Sequence, residues 1–226
     1  MPAIFFATVL TQLCGGSAGR EGAALQMGGT IGQWIGRGLY LDDSDLRIAT
    51  LVGMAAFFSA LFGAPLAAAV FAVMVISIGI LYHVALVPCL IASLSAYFLA
   101  GALGVQPVRF EVEVPEASAL TFFQVGFLGI LCALVSIFFC MMMHGAEKGM
   151  RKILPNAWLR VLAGAGIIIV LTYLCGTNDY NGVGMGVIAA AIEEGKAEPL
   201  AFLLKLVFTS VTLAAGFKGG EIVPSF

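Results

Sequence analysis

The chain has 226 residues, 61% of them hydrophobic and only 11% charged, with a formal net charge of −2 and a mean hydropathy of +1.04. A soluble globular domain is about half apolar and a quarter charged, so this composition excludes one and specifies an integral membrane protein. The 11 Lys and Arg residues gather in no run or stripe, which removes the electrostatic footprint of a nucleic-acid binder.

Several apolar runs reach the roughly 20 residues that a spanning helix needs. The alternating segments of about 10 residues that mark a membrane barrel do not occur, so the fold class is all-α. Cys14, Cys89, Cys132, Cys140 and Cys175 stand singly in apolar sequence and read as small buried hydrophobes. His83 and His144 are isolated, with no His-Glu-x-x-His pattern. No metal, cofactor or enzyme chemistry is expected. Residues 2–14 lack the basic leader of a signal peptide and are read as mature sequence.

In chain order, residues 2–13 predict a helix too short to cross a hydrocarbon core of about 30 Å. Cys14-Gly15-Gly16-Ser17-Ala18-Gly19-Arg20-Glu21-Gly22 is a glycine turn at membrane depth. A helix over 23–38 follows, with Gly28, Gly32 and Gly36 at four-residue spacing along one face, a packing seam. Asp42, Asp43 and Asp45 mark a water-facing loop, and Ser44 or Asp45 caps a helix that starts near Leu46. Gly63-Ala64-Pro65 breaks the apolar run, and Pro65 opens a short helix over 66–76. A span over 81–103 contains Pro88 as a kink.

Residues 104–117 form an acidic loop, with Glu111, Glu113 and Glu116. The longest span covers 120–143 and exits into Lys148, Arg151, Lys152 and Arg160, which places the 148–160 loop in the cytoplasm. A further span over 157–174 leads to a glycine-rich loop over 176–186, a short re-entrant helix over 187–193, and a solvated loop with Glu193, Glu194, Lys196 and Glu198. A helix over 200–215 then runs into a second glycine turn, Gly216-Phe217-Lys218-Gly219-Gly220-Glu221-Ile222-Val223-Pro224. Short interrupted helices outnumber full spans, the pattern of channels and transporters whose site is built from half-helix ends.

The two glycine turns carry the chemistry. An anion in a low-dielectric setting must replace its hydration with fixed dipoles. Backbone N–H groups at helix N-termini supply them without a full charge that would trap the ion. Glu21 sits in the first turn of its helix, where its carboxylate competes with an anion for the same donors. Protonating it or swinging it away would open the site, which makes Glu21 a candidate gate. The alternative is a structural ion pair with Arg20, although adjacent residues seldom face each other on a helix. Arg20 is expected to be buried and to satisfy loop carbonyls. Lys218 is either a snorkelling residue or a field source, and Glu221 either pairs with Lys218 or lines the ion path.

Gly19-Arg20-Glu21-Gly22 resembles the Gly-Arg-Glu-Gly-Pro signature of CLC chloride channels and proton-coupled antiporters. Leu61-Phe62-Gly63-Ala64-Pro65-Leu66-Ala67 is similar to the family's Asn-Ala-Pro-Leu-Ala helix start, and Gly219-Gly220-Glu221-Ile222-Val223-Pro224 to its Gly-Gly-x-Phe-x-Pro turn. Residues 216–221 and 26–28 resemble the fluoride-exporting branch in particular. The resemblance implies a polytopic inverted-repeat fold with broken and re-entrant helices. Residues 1–103 would belong to the first repeat and 118–226 to the second, the whole matching the middle of a CLC protein without its first and last helices.

It further implies a homodimer in the plasma membrane with one anion pathway per subunit, carrying fluoride or chloride, with or without coupling to protons. Glu21 would be the gate, and Gly19, Arg20, Gly22, Gly220, Glu221, Ile222 and Val223 would bind the anion. The family's internal proton-relay glutamate falls near Met74 or Val75, and neither side chain carries a proton. Fluoride efflux is the preferred activity; chloride conduction and a non-transporting membrane scaffold are the alternatives.

Overall fold

A computed structural model of the chain describes residues 2–75, 82–105, 107, 118–193, 195–196 and 198–220. Among these residues the secondary structure is helical, with one isolated antiparallel bridge and no strand. The helices are α1 (Pro2–Leu13), α2 (Glu21–Gly38), α3 (Asp43–Phe62), α4 (Pro65–Val75), α5 (Leu86–Ala102, entered through a 3₁₀ turn at His83–Ala85), α6 (Ala119–Ile153), α7 (Ala157–Cys175), α8 (Met185–Glu193) and α9 (Ala201–Ala214). Four stretches are long and apolar enough to cross a membrane: Asp43–Phe62, His83–Ala102, Ala119–Ile153 and Ala157–Cys175. The expected acidic loop lies almost wholly outside the described residues.

Contacts divide the chain into two compact units, Met1–Phe6 with Arg20–Arg109, and Ala7–Gly19 with Phe110–Phe226. Residues 7–19 thus pack with the later half of the sequence.

In the first unit the glycine seam packs α2 on α3. A Cβ on Gly28 would sit 2.5 Å from the Gly53 carbonyl oxygen and 2.9 Å from the Phe57 ring; one on Gly32 would overlap the Ala49 carbonyl, and one on Gly53 the Gly28 carbonyl. The two backbones touch, the close approach that small residues permit in a membrane.

The start of α3 corrects the predicted cap. Asp42 is the last residue with extended backbone (φ −72°, ψ 173°), and its carboxylate accepts from the Asp45 amide at 2.8 Å. Asp43 and Asp45 therefore fall in the first turn, where their charge complements the helix dipole. Gly63 ends α3 in the left-handed conformation (φ 66°) and donates to Ser59 O at 2.8 Å, so that Pro65 opens α4.

Hydroxyls then tie α3, α4 and α5 together: Ser59 Oγ donates to Ser93 O at 2.6 Å, and Ser93 Oγ lies 2.9 Å from Pro65 O. Pro88 is not a mid-span kink. It is the third residue of α5, in the first turn, where a missing N–H breaks no intrahelical bond.

The second unit is built on α6, α7 and α9. At 35 residues α6 is about 52 Å long, well beyond a hydrocarbon core. It runs ten residues past the predicted span, so Lys148, Arg151 and Lys152 stand on its last turns rather than in a loop. Arg151 pairs with Glu147 at 2.7 Å across one turn. Asn156 caps α7 through Trp158 N at 3.0 Å, and Gly176 (φ 67°) closes it. Trp158 and Tyr173, near opposite ends of α7, are both more than 80% exposed, the placement of aromatic residues at the two interfaces of a spanning helix.

Two further expectations change. Cys14, Cys132 and Cys140 are exposed, and only Cys89 is fully buried, because the outward helix faces are themselves apolar. Glu198, expected to be solvated, accepts from Tyr180 Oη at 3.0 Å.

The seam generates a direct prediction. Gly32→Val should lower stability in detergent by about 1–3 kcal/mol, the usual range for overpacking, while Gly38→Ala, which has open space around it, should change little. Thermal melting of the two purified variants checks this.

Candidate functional site

The first glycine turn begins as a helix ending. Gly15 takes a left-handed conformation (φ 77°) and donates to Gln12 O at 3.0 Å, while Gly16 donates to Thr11 O at 2.8 Å. This pair of bonds is the Schellman arrangement, and it turns the chain sharply out of α1. A Cβ on Gly16 would meet Thr11 Cγ2 at 2.7 Å and Thr212 Cγ2 at 3.2 Å, so the turn lies flat against α1 and α9.

The next residues are bound to α9 by hydroxyls. Ser17 N donates to Thr212 Oγ1 at 3.1 Å, Ser17 Oγ lies 3.1 Å from Thr209 Oγ1, and Thr212 Oγ1 donates to Phe208 O at 2.7 Å. Ser17, Thr209 and Thr212 are fully buried. Each bond replaces one that water would make, and leaving such groups unmade at this depth would cost about 1–3 kcal/mol apiece. From the other side the 176–184 loop joins in, with Gly182 N donating to Gly16 O at 3.1 Å.

That loop is in turn held by Lys205. Its ammonium donates to Gly182 O at 2.7 Å and Tyr180 O at 3.1 Å. Lys205 is the one charged residue in α9, and an ionisable side chain in such a helix signals a structural or functional duty. The sequence reading passed over it, together with Ser17, Thr209 and Thr212. The lone charge in an apolar helix was a signal that could have found Lys205, whereas the hydroxyls carry none without coordinates.

The two glycine turns meet. Gly19 and Gly220 form an antiparallel pair, Gly19 N donating to Gly220 O at 2.7 Å and Gly220 N to Gly19 O at 2.6 Å. Both residues are buried. Their amides, expected to face an anion, are instead given to each other. The expected anion contacts at Glu221, Ile222 and Val223 lie outside the described residues.

Two positions beyond Gly19, α2 opens with Glu21 and with Gly22 in its first turn. Arg20 occupies the N-cap position without a side-chain cap bond, and its carbonyl accepts from Ala24 N at 3.1 Å. The first-turn amides are therefore not used within the helix. The Glu21 side chain is 4% exposed and folds back on this turn, where the amides of Glu21 and Arg20 act on the carboxylate. Its Oε2 is buried with no hydrogen-bond partner among the described residues.

Arg20 itself is exposed, not buried as expected; no salt bridge within 4 Å joins it to Glu21 among the described residues, although its charge acts on the Glu21 carboxylate. Lys218 is also exposed. Among the described residues no group of His, Cys, Asp and Glu could hold a metal ion.

The arrangement defines a class: a helical membrane protein of broken helices, with a buried carboxylate at one helix N-terminus and two glycine turns paired through their backbones. Comparison with known proteins narrows it. The family model described as voltage gated chloride channel matches residues 1–226. The chain is 33% identical to a chloride/fluoride channel protein of Pseudomonas syringae pv. tomato, over 100% of this chain and 51% of that one. It is 27% identical to an uncharacterized protein of Methanocaldococcus jannaschii, over 93% of this chain and 53% of that one. A crystal structure of a CLC-type fluoride/proton antiporter superposes with a TM-score of 0.91 at 34% identity, covering 99% of this chain and 56% of that one. The chain belongs to the voltage-gated chloride channel (CLC) family, and it spans about half the length of these relatives.

Lys205→Met should leave two loop carbonyls without a donor and lower the melting temperature, by the equivalent of about 1–3 kcal/mol. Lys205→Arg should recover part of the loss. Melting curves in the same detergent decide this.

Proposed function

We propose that the chain carries the anion pathway of a CLC-type membrane transporter, with fluoride efflux as its activity and Glu21 as its gate. The observation that carries the reading is Glu21 itself: a buried carboxylate at a helix N-terminus, folded onto its amides, with one oxygen unpartnered. A carboxylate in that position occupies the place an anion would take. Burying an unpaired charge costs several kcal/mol, and a protein keeps such a group where it has a task.

Two similarities support fluoride: the antiporter structure and the Pseudomonas relative, whose names include that ion. The latter name also includes chloride, so chloride conduction is the second reading. In the proposed pathway the amides of Arg20, Glu21 and Gly22 receive the anion when the Glu21 side chain leaves, and residues 220–223 line the path from the second turn.

Homodimeric assembly, a plasma-membrane location and a cytoplasmic face at 148–160 belong to the same proposal, as does the assignment of 1–103 and 118–226 to two inverted repeats. Met74 and Val75 offer no proton acceptor, so coupling, where present, runs through Glu21 without a relay at those positions.

The test is anion efflux from liposomes reconstituted with the protein. Fluoride should leave at least about tenfold faster than chloride, the ratio a difference of 1.4 kcal/mol would produce; equal or faster chloride flux removes the fluoride preference. Glu21→Gln should abolish accompanying proton movement, and unaltered proton flux in that variant contradicts the gate.

A further inference from the structure

The corner between α6 and α7 carries charge that neither the glycine turns nor Glu21 uses. α6 is longer than a hydrocarbon core, and all four of its charged residues, Glu147, Lys148, Arg151 and Lys152, fall in its last two turns. Those turns therefore lie at the membrane boundary. Glu147 is the one acid between His144 and Arg160, and it is engaged with Arg151 at 2.7 Å. Arg160 is set apart from the corner: a Cβ on Gly216 would stand 3.8 Å from its Nη2.

Lys148 and Lys152 are left without a counter-charge. They share one face of α6 at i,i+4 spacing, both are exposed, and neither makes an ion pair among the described residues. Like charges at this spacing repel and weaken the helix, whereas opposite charges there would support it. An anion held between the two ammonium groups removes the repulsion. Next along the chain come exposed apolar side chains, with Ile153 78% and Trp158 82% exposed. Lysines beside exposed tryptophan and aliphatic residues are the composition of a segment seated at a lipid–water boundary.

We infer that the α6–α7 corner is a docking surface for anionic phospholipid. Lys148 and Lys152 take the headgroup phosphate, and Ile153 and Trp158 lie among the lipid beside it. A free phosphate ion would satisfy the lysines and leave Ile153 and Trp158 in water, whereas a phospholipid serves both. Lysine suits this role as a compact charge on a flexible stem, which follows a headgroup that is itself mobile. The surface lies wholly within the second unit and does not depend on the proposed anion pathway.

Trp158 reports on its own surroundings. It is one of two tryptophans, and Trp34→Phe leaves it as the only one. The full chain with this change is placed in phosphatidylcholine vesicles containing brominated lipid, which quenches tryptophan on contact. Brominated phosphatidylglycerol should bind beside Trp158 at least about fivefold more tightly than brominated phosphatidylcholine, the effect of one lysine near an anionic surface. High salt should reduce that preference, because exposed charges are screened. Lys148→Gln with Lys152→Gln should bring the ratio to about one, while Lys148→Arg with Lys152→Arg should keep it.

Equal quenching by the two brominated lipids before any lysine is changed overturns the inference. So does a preference that survives Lys148→Gln with Lys152→Gln, because the charge responsible then lies elsewhere. Millimolar inorganic phosphate, added at constant ionic strength, should leave the preference intact. Its loss on that addition identifies a free anion as the occupant and overturns the assignment to lipid.

Discussion

The structure depends on one reciprocal pair of backbone hydrogen bonds, between Gly19 and Gly220. Two residues 201 positions apart in sequence exchange their N–H and C=O groups where both are buried. A backbone polar group without a partner in that setting costs several kcal/mol, so the pair is self-enforcing: opening it strands four groups at once. Its geometry demands that the flanking side chains be small, which is why Ala18 and Gly219 stand beside it. The pair also decides what its amides cannot do. They are consumed in joining the turns, so in the proposed pathway anion recognition falls to the helix end that follows.

Around this bond the second unit is a chain of supports that ends at a charge. The Lys205 ammonium holds two carbonyls of the 176–184 loop, Gly182 of that loop holds Gly16, and Ser17 is bound to two threonines of α9. Every link is a hydrogen bond between groups that would otherwise be buried and unpaired. Polar residues in an apolar protein are expensive, and here they are spent on fixing a turn that has no regular secondary structure of its own. Glu21 stands apart from these links. Among the described residues it shares a buried polar atom without a partner with Thr8, Arg160 and Ser210, but of these it alone is a carboxylate at a helix N-terminus, and that is the reason to propose a task for it.

Much of this was legible from composition and breakers. Gly63 and Pro65 marked the α3–α4 boundary because each is constrained at that position by a definite backbone requirement, and the Gly28, Gly32 and Gly36 spacing announced a contact face before the partner helix was known. The cap of α3 was misassigned among Asp42, Ser44 and Asp45 because all three are competent caps and only the backbone conformation chooses. The extent of α6 was misjudged because hydropathy falls where the helix leaves the membrane, although its hydrogen bonding continues through Lys152. Arg20 was expected to be buried and to satisfy loop carbonyls, but its side chain is exposed. At the candidate site, the sequence singled out both glycine turns and Glu21. It could not identify Ser17, Thr209 or Thr212, since single hydroxyls are too common to signal a contact until the fold brings them together.

Hydrogen exchange at the two turns, with and without fluoride, probes the central claim most directly. The account predicts that Gly19 and Gly220 amides exchange slowly whether or not the ion is present, because they are bonded to each other. It predicts that the amides of Arg20, Glu21 and Gly22 become protected only when fluoride is added. Fast exchange at Gly19 and Gly220, or fluoride that leaves the start of α2 unprotected, would contradict it.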